Sequence, residues 1–197
     1  MLVLASASPR RQELLRSAGL AFDVQPAQIP EEPMPGETAK NYAERLAREK
    51  ALAVACQRPH DCVLGADTVV VVDGKILGKP SDAADAARML RMLSGRQHQV
   101  ITGVCLAVGG QVSVASETTL VTVSELTDQD IADYVANGEP MDKAGAYAIQ
   151  GIASRWIPRI EGDYSNVVGL PVALVFRMLG KNGFQFSLLG SEKTRDS

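Results

Sequence analysis

The sequence predicts an α/β fold, and three stretches carry that expectation. Residues 1–19 read as a strand, a tight turn and a helix, residues 37–57 form the longest helical pattern, and residues 62–77 carry the strongest β signal. Strands and helices therefore interleave along the chain. With 197 residues, 46% of them hydrophobic, there is material for one large domain or two small lobes around a real core.

The opening stretch sets the organisation. Leu2 to Ala5 is a short apolar run, Ser8 suits an N-cap, Pro9 suits the first helical position and Gly19 the residue just past the helix end. A strand that feeds a helix N-terminus leaves unpaired backbone N–H groups and the positive dipole end at the turn, which is a site for an anion. Ser6 and Ser8 add hydroxyls, and Arg10 and Arg11 add guanidiniums whose forks match phosphate oxygens. Cations in that first turn oppose the dipole, so something else must offset them. A surface helix with a routine Ser-Pro cap and two solvated arginines would carry the same residues.

Ala21 to Val24 follows as a short strand, and Gln25 to Gly36, with four prolines, as a loop. Its adjacent acids, Glu31 and Glu32, are solvated surface unless a phosphate site beside them needs a metal-binding carboxylate. Glu37 to Gln57 is a helix with Tyr42, Leu46 and Ala53 on one face; Lys50, among Ala47, Ala51 and Val54, either snorkels or points into a site.

From Cys62 to Leu77 two aliphatic runs flank Asp73-Gly74, the sequence of a type I′ hairpin turn. Val72 then pairs with Lys75, and the same register continued places Thr68 opposite Lys79 and Asp67 opposite Pro80. An aspartate inside a run of valines is costly to bury charged, so Asp67 lies at an open strand end, is paired, or binds a metal. Strict alternation puts Asp67 and Lys79 on opposite faces, while a bulge at Gly78 would bring them together.

Ser81 caps a helix to about Leu93, Gln99 to Val108 and Gln111 to Val123 form a second hairpin around Gly109-Gly110, and Thr127 with Asp130 makes a capping box for a helix to Val135. Lys143 to Ile152 is a run of small residues holding one amide, Gln150; it permits close backbone approach to a ligand, or packs as a strand or bend under a neighbour. Trp156 to Ile160 is a further strand, and in Asn166 to Leu179 the sequence Gly169-Leu170-Pro171 opens an apolar helix.

The net charge of −3 and pI of about 5.4, with both signs interspersed, exclude the basic stripe of a protein that holds polymeric nucleic acid, so any phosphate site is local. Cys56, Cys62 and Cys105 lack metal-ligand spacing, and His60 and His98 are isolated, which reads as incidental thiols and surface histidines. The first apolar run is too short for a signal peptide, and Asp67 interrupts the most hydrophobic stretch. The expectation is a soluble protein of a reducing cytoplasm, without membrane contact.

Several blocks together go further. Leu-Ala-Ser-Ala-Ser-Pro-Arg-Arg at 4–11, Glu49-Lys50-Ala51, Gly65-Ala66-Asp67-Thr68, Gly78-Lys79-Pro80, Ala144-Gly145-Ala146-Tyr147, Gln150-Gly151 and Asn166 to Pro171 resemble the Maf family of nucleoside triphosphate pyrophosphatases, in the family's order over about residues 2–180. The resemblance implies an elongated mixed β-sheet flanked by helices, with two lobes and a cleft between them (Maf/ITPase-like). Residues 1–186 would form that single domain, and 187–197 a polar tail. It also implies dependence on a divalent cation, Mg²⁺ or Mn²⁺, frequent homodimers, and cleavage of nucleoside triphosphates to monophosphate and pyrophosphate. Arg10, Thr68 and Gln150 stand where the branches of the family differ, and match the dTTP/UTP branch; the branch acting on 7-methyl-GTP has an aromatic residue, glutamine and glutamate there. Glu31 falls on the family's carboxylate, with Glu32 beside it.

On this reading Ser6, Ser8, Arg11, Lys50 and Lys79 cradle phosphate, Asp67 is the general base, and Asp67 and Glu31 hold the metal. Two other classes fit parts of the pattern: a non-catalytic nucleotide-binding regulator of cell division, and a phosphate-binding interaction module. A pyrophosphatase for modified nucleotides such as 7-methyl-GTP is the nearest enzymatic rival.

Overall fold

The computed structural model describes residues 1–184; the expected polar tail, 187–197, lies outside the described residues. In chain order the elements are β1 (Leu2–Leu4), α1 (Pro9–Ser17), β2 (Asp23–Val24), α2 (Ala39–Ala55), β3 (Cys62–Val72), β4 (Lys75–Leu77), α3 (Ala83–Leu93), β5 (Gln97–Val108), β6 (Gln111–Thr122), α4 (Asp128–Ala136), β7 (Arg159–Glu161), α5 (Tyr164–Val168) and α6 (Val172–Lys181). Short 3₁₀ turns at Glu139–Asp142, Ala144–Ala146 and Ile152–Trp156 connect α4 to β7. No helix among the described residues is long and apolar enough to cross a membrane.

The seven strands make one mixed sheet in the order β2-β1-β3-β5-β6-β7, with β4 also on β3. β1 runs parallel to β2 and β3, and every other pair is antiparallel. Because β5 takes one edge of β3 from Val63 to Val71, β1 and β4 share the other: β1 pairs with Cys62–Leu64 and β4 with Val70–Val72. Gly65 to Val69, with Asp67 and Thr68, is left between them with no strand on that edge. A gap in the middle of a sheet is where a site can open.

The first hairpin turns as expected, with Val72 opposite Lys75, but its ladder ends at Val70–Leu77. The continued register is therefore corrected: Asp67 lies opposite Gly103 and Thr68 opposite Thr102, both on β5, and neither Lys79 nor Pro80 is in a strand. Three further expectations shift. Asp82, not Ser81, is the N-cap of α3, because the Asp82 carboxylate accepts from Asp85 N while Ser81 N donates to Asp85. Residues 152–156 coil into a 3₁₀ turn, and the strand forms only at 159–161, where the end of β6 offers a partner. His98 is not a surface histidine. β5 begins at Gln97, so alternation turns His98 inward with Val100, and the ring is 2% exposed with Nε2 2.8 Å from the Tyr147 hydroxyl.

Core residues gather at both ends of the long strands. Val70, Val72, Val100 and Val121 pack with α3, α4 and the 3₁₀ turns, whereas Leu64, Ala66, Val104 and Leu106 pack with α1 and α6. On the face of β3 and β5 that meets α2, Gly65 and Gly103 let the helix backbone touch the sheet: a Cβ on Gly65 would fall 2.1 Å from the Ala47 carbonyl oxygen, and one on Gly103 2.3 Å from that of Ala43. Small residues at these contacts, Ala43, Ala47 and Ala51, complete the approach.

Candidate active site

The gap on β3 is the floor of a cavity of about 360 Å³, a size that admits a small polar ligand. α1 reaches it at its N-terminus, where Ser8 is the N-cap but makes no capping hydrogen bond with its hydroxyl. The close seat of α2 on the sheet delivers Lys50 to Asp67. Lys50 Nζ lies 2.6 Å from Asp67 Oδ1 and 2.7 Å from Glu31 Oε1, and Lys50 and Asp67 are 8% and 7% exposed.

The two carboxylates differ in environment. Burial raises Asp67 above the ordinary carboxylate range, against the pull of Lys50 and Arg11. Burial also acts to raise Glu31, but Lys50, Lys79 and Arg11 outweigh it and hold Glu31 below its ordinary value. Pairs of acids whose environments push them apart are a common feature of acid–base sites.

The loop that bears Glu31 is fastened to α2. Tyr42 donates its hydroxyl proton to the Glu31 carbonyl at 2.9 Å, and Arg45 donates to the Glu32 carbonyl at 3.0 Å while its fork grips the Glu37 carboxylate twice at 2.8 Å. Neither Tyr42 nor Arg45 stood out in the sequence as more than a helix-face residue. Their signal is the coincidence of a buried aromatic hydroxyl with a proline-rich loop, legible only once the loop lies across the helix.

Arg11 is a brace. Its Nε donates to the Gly169 carbonyl at 2.8 Å, Nη1 to Ser6 Oγ at 3.1 Å and to the Ala66 carbonyl at 3.0 Å, and Nη2 to Thr68 Oγ1 at 3.0 Å. It thus satisfies a carbonyl on the unpaired edge of β3 and ties the β1–α1 turn to the α5–α6 loop.

The model of the Maf-like protein family matches residues 1–182. The chain belongs to the Maf family. Among relatives of this Maf chain, the dTTP/UTP pyrophosphatase of Koribacter versatilis is 61% identical over 182 residues, covering 92% of this chain and 94% of the relative. Those of Geobacter metallireducens and Symbiobacterium thermophilum are 51% and 52% identical, covering 92% and 93% of this chain and 96% and 94% of theirs. A solved nucleoside-triphosphatase / dITP/XTP pyrophosphatase of Mycobacterium abscessus matches 64% of this chain and 75% of its own at 18% identity and a TM-score of 0.43, a likeness too low to bear on function.

In this Maf chain Ser8, Arg10, Glu31, Lys50, Asp67, Thr68, Lys79 and Gln150 all line the one cavity, together with Arg11. Asp67 and Lys79 therefore share a site although they share no ladder: the hairpin frays at Gly78, whose carbonyl accepts from Gly145 N at 3.0 Å instead of from β3. Ser6 is set back, its hydroxyl oxygen accepting from Arg11 and from Ser8 N. The small-residue run 143–152 forms no strand and does both other things expected of it: Gly145, Ala146 and Tyr147 pack into the core beside Val70, while Lys143, Ala144, Ala148, Ile149 and Gln150 with one side of Tyr147 form a wall of the cavity. Asp142, 3.6 Å from Arg10 Nη1, joins that wall to α1, and it too was not singled out by sequence.

Proposed function

We propose that this chain is a nucleoside triphosphate pyrophosphatase that hydrolyses dTTP and UTP to the monophosphate and pyrophosphate by attack of water at the α-phosphorus. The observation that carries the reading is the convergence of Lys50, Asp67 and Glu31 beside Ser8, Arg10 and Lys79 in a single cavity. A triphosphate brings about four negative charges, so its hydrolysis is mostly neutralisation and in-line placement of water. The names of relatives at 51–61% identity supply the pyrimidine substrates.

The residues fit a divalent cation of the Mg²⁺ type. Asp67 and Glu31 already converge on one positive nitrogen at 2.6 and 2.7 Å, and hard cations of this kind take one or two carboxylates plus phosphate oxygens and waters. No group of three or more His, Cys, Asp or Glu side chains among the described residues is arranged for a metal, so the donor set is poor for zinc. Bound there, Mg²⁺ or Mn²⁺ would acidify a water and neutralise phosphate charge. Asp67, raised by burial, accepts the proton of the attacking water. Lys50 and Lys79 meet phosphate oxygens, Ser8 donates its free hydroxyl, and Ser6 and Arg11 hold the turn in shape. Gln150 and Arg10 face the base: the amide matches the carbonyl, N–H, carbonyl edge of thymine and uracil, and a guanidinium favours carbonyl oxygens. Cys56, Cys62 and Cys105 are all free thiols, which suits a cytoplasmic setting.

Pyrophosphate release tests the proposal. Ranked by kcat/KM, dTTP and UTP should lead CTP, GTP and 7-methyl-GTP; a purine at the head of that order overturns the substrate assignment, and no release from any nucleotide overturns the activity.

A further inference from the structure

Gln150 lines the cavity from a tight turn, in which Gly151 N donates to the Ala148 carbonyl at 3.1 Å. That turn is fastened at both ends. Ala148 N donates to the Tyr134 hydroxyl at 3.2 Å, and Ile152 N donates to the Glu139 carboxylate, 3.1 Å from Oε1 and 3.2 Å from Oε2. Tyr134 in turn donates its hydroxyl proton to Glu139 Oε1 at 2.7 Å, so the two holds are one unit. The unit is anchored deep: α4 carries Tyr134, 1% exposed with its ring edge-on to Trp156, and Glu139 opens the 3₁₀ turn just beyond.

Gly151 makes room for this arrangement. A Cβ there would fall 2.1 Å from Glu139 Oε1 and 2.5 Å from Oε2, so the carboxylate fills the place that a side chain at 151 would take. On the other side of Gln150, Ile149 packs against the core around α3 and α4. The hydrogen bond from Ser154 N to the Gly151 carbonyl closes within the segment and ties it to nothing outside. Side chains that read a ligand depend on such supporting contacts for their placement, to within about 0.5 Å.

We propose that Glu139 is a positioning residue for nucleobase recognition: with Tyr134 it sets where Gln150 stands in the cavity wall. The inference rests on the pyrimidine pyrophosphatase reading, in which the Gln150 amide serves the base and not the phosphates. A hydrogen bond weakens steeply once donor and acceptor are misaligned, so a turn free to shift forfeits the contribution of the amide. The phosphate cradle stands on α1, α2 and β3 and keeps its own.

The share of binding owed to the base is a ratio of two dissociation constants read by calorimetry in Mg²⁺, that of imido-bridged inorganic triphosphate over that of the α,β-imido analogue of dUTP. Glu139→Ala should lower this ratio roughly 3–10-fold and leave binding of the inorganic ligand unchanged. Glu139→Gln, whose amide oxygen can accept at the Oε1 position from both Tyr134 and Ile152, should stay near the wild-type ratio. Gly151→Ala should reproduce Glu139→Ala, because its methyl meets the far end of a flexible side chain and not backbone, so the chain folds and the carboxylate is pushed off Ile152 N. It also serves should the Glu139→Ala variant not fold. In a Gln150→Ala background, Glu139→Ala should have no further effect on the ratio. An unchanged ratio, equal weakening of both ligands, a Glu139→Gln variant as impaired as Glu139→Ala, or a further fall in the Gln150→Ala background overturns the proposal, as does a wild-type protein that binds the nucleotide no more tightly than the inorganic ligand. Because the ratio is read by binding, a protein that shows the expected ratios but releases no pyrophosphate would overturn the activity and leave this inference standing.

Discussion

At the scale of single residues, Asp67 carries the sharpest consequence. Replaced by asparagine it keeps its size but loses the charge that accepts a proton and draws in a cation, and the expected loss of kcat is at least about 100-fold. Lys50 retains Glu31 as partner, so the variant should fold, though with some loss of stability for a buried cation left with one carboxylate. Burial holds Asp67 above the ordinary carboxylate range, so wild-type kcat/KM should fall on the acid side as Asp67 takes up a proton. Turnover of Asp67→Asn near that of wild type would end the general-base assignment. His98 gives a separate pH effect. Burial lowers it from 6.5 to about 4, so the folded protein keeps it neutral while the unfolded chain protonates near 6.5. Stability is then complete above pH 6.5 and declines as pH falls through the window down to about 4, by roughly 3 kcal/mol at the bottom of it. Urea denaturation of His98→Gln should show a flatter profile across that window; a slope equal to wild type would place the acid sensitivity elsewhere.

Elements show which parts of this molecule are written locally. The strand–turn–helix opening, the Asp73-Gly74 and Gly109-Gly110 turns and the Thr127/Asp130 capping box were legible, because each depends on neighbours in sequence. The gap on β3 was not. It arises because β1 and β4 share one edge of β3 without meeting, a fact about pairing between distant segments that also stopped the hairpin ladder three residues short of Asp67. Lys50, read as either snorkelling or aimed into a site, is decided by how closely α2 sits on the sheet. Gly103 sets that distance. An added methyl would meet the Ala43 carbonyl oxygen at 2.3 Å, a backbone atom of a helix that cannot yield locally. Gly103→Ala should therefore cost about 3 kcal/mol and lift Lys50 from Asp67, with loss of turnover beyond what the remaining folded fraction explains. Thermal melts alongside kcat on the folded fraction test it; a variant as stable and active as wild type would mean that α2 has slack.

For the whole molecule, the arrangement of the core decides how it unfolds and how it answers to ligand. The apolar residues around α3 and α4 and those around α1 and α6 lie at opposite ends of β3, β5 and β6, with Asp67, Thr68 and Thr102 between them. Two lobes joined by a flexible linker would melt separately. Here three continuous strands cross the boundary, and breaking either end strips hydrogen bonds and burial from the other. The polar middle is reinforced across the cavity by Arg11, which reaches β3 and the α5–α6 loop, and at the mouth by Arg10 with Asp142. The exposed pair at the mouth contributes little, about 0–1 kcal/mol, and the half-buried brace and shared strands dominate. The expectation is one cooperative transition with equal calorimetric and van't Hoff enthalpies. A non-hydrolysable dTTP analogue at about 100 times its Kd should add ~2.7 kcal/mol and raise that single midpoint by roughly 5–10 °C. Differential scanning calorimetry with and without the analogue separates the cases: two resolved peaks, or a ligand that shifts only one of them, would mean that the lobes hold their stability independently and that the shared strands do not couple them.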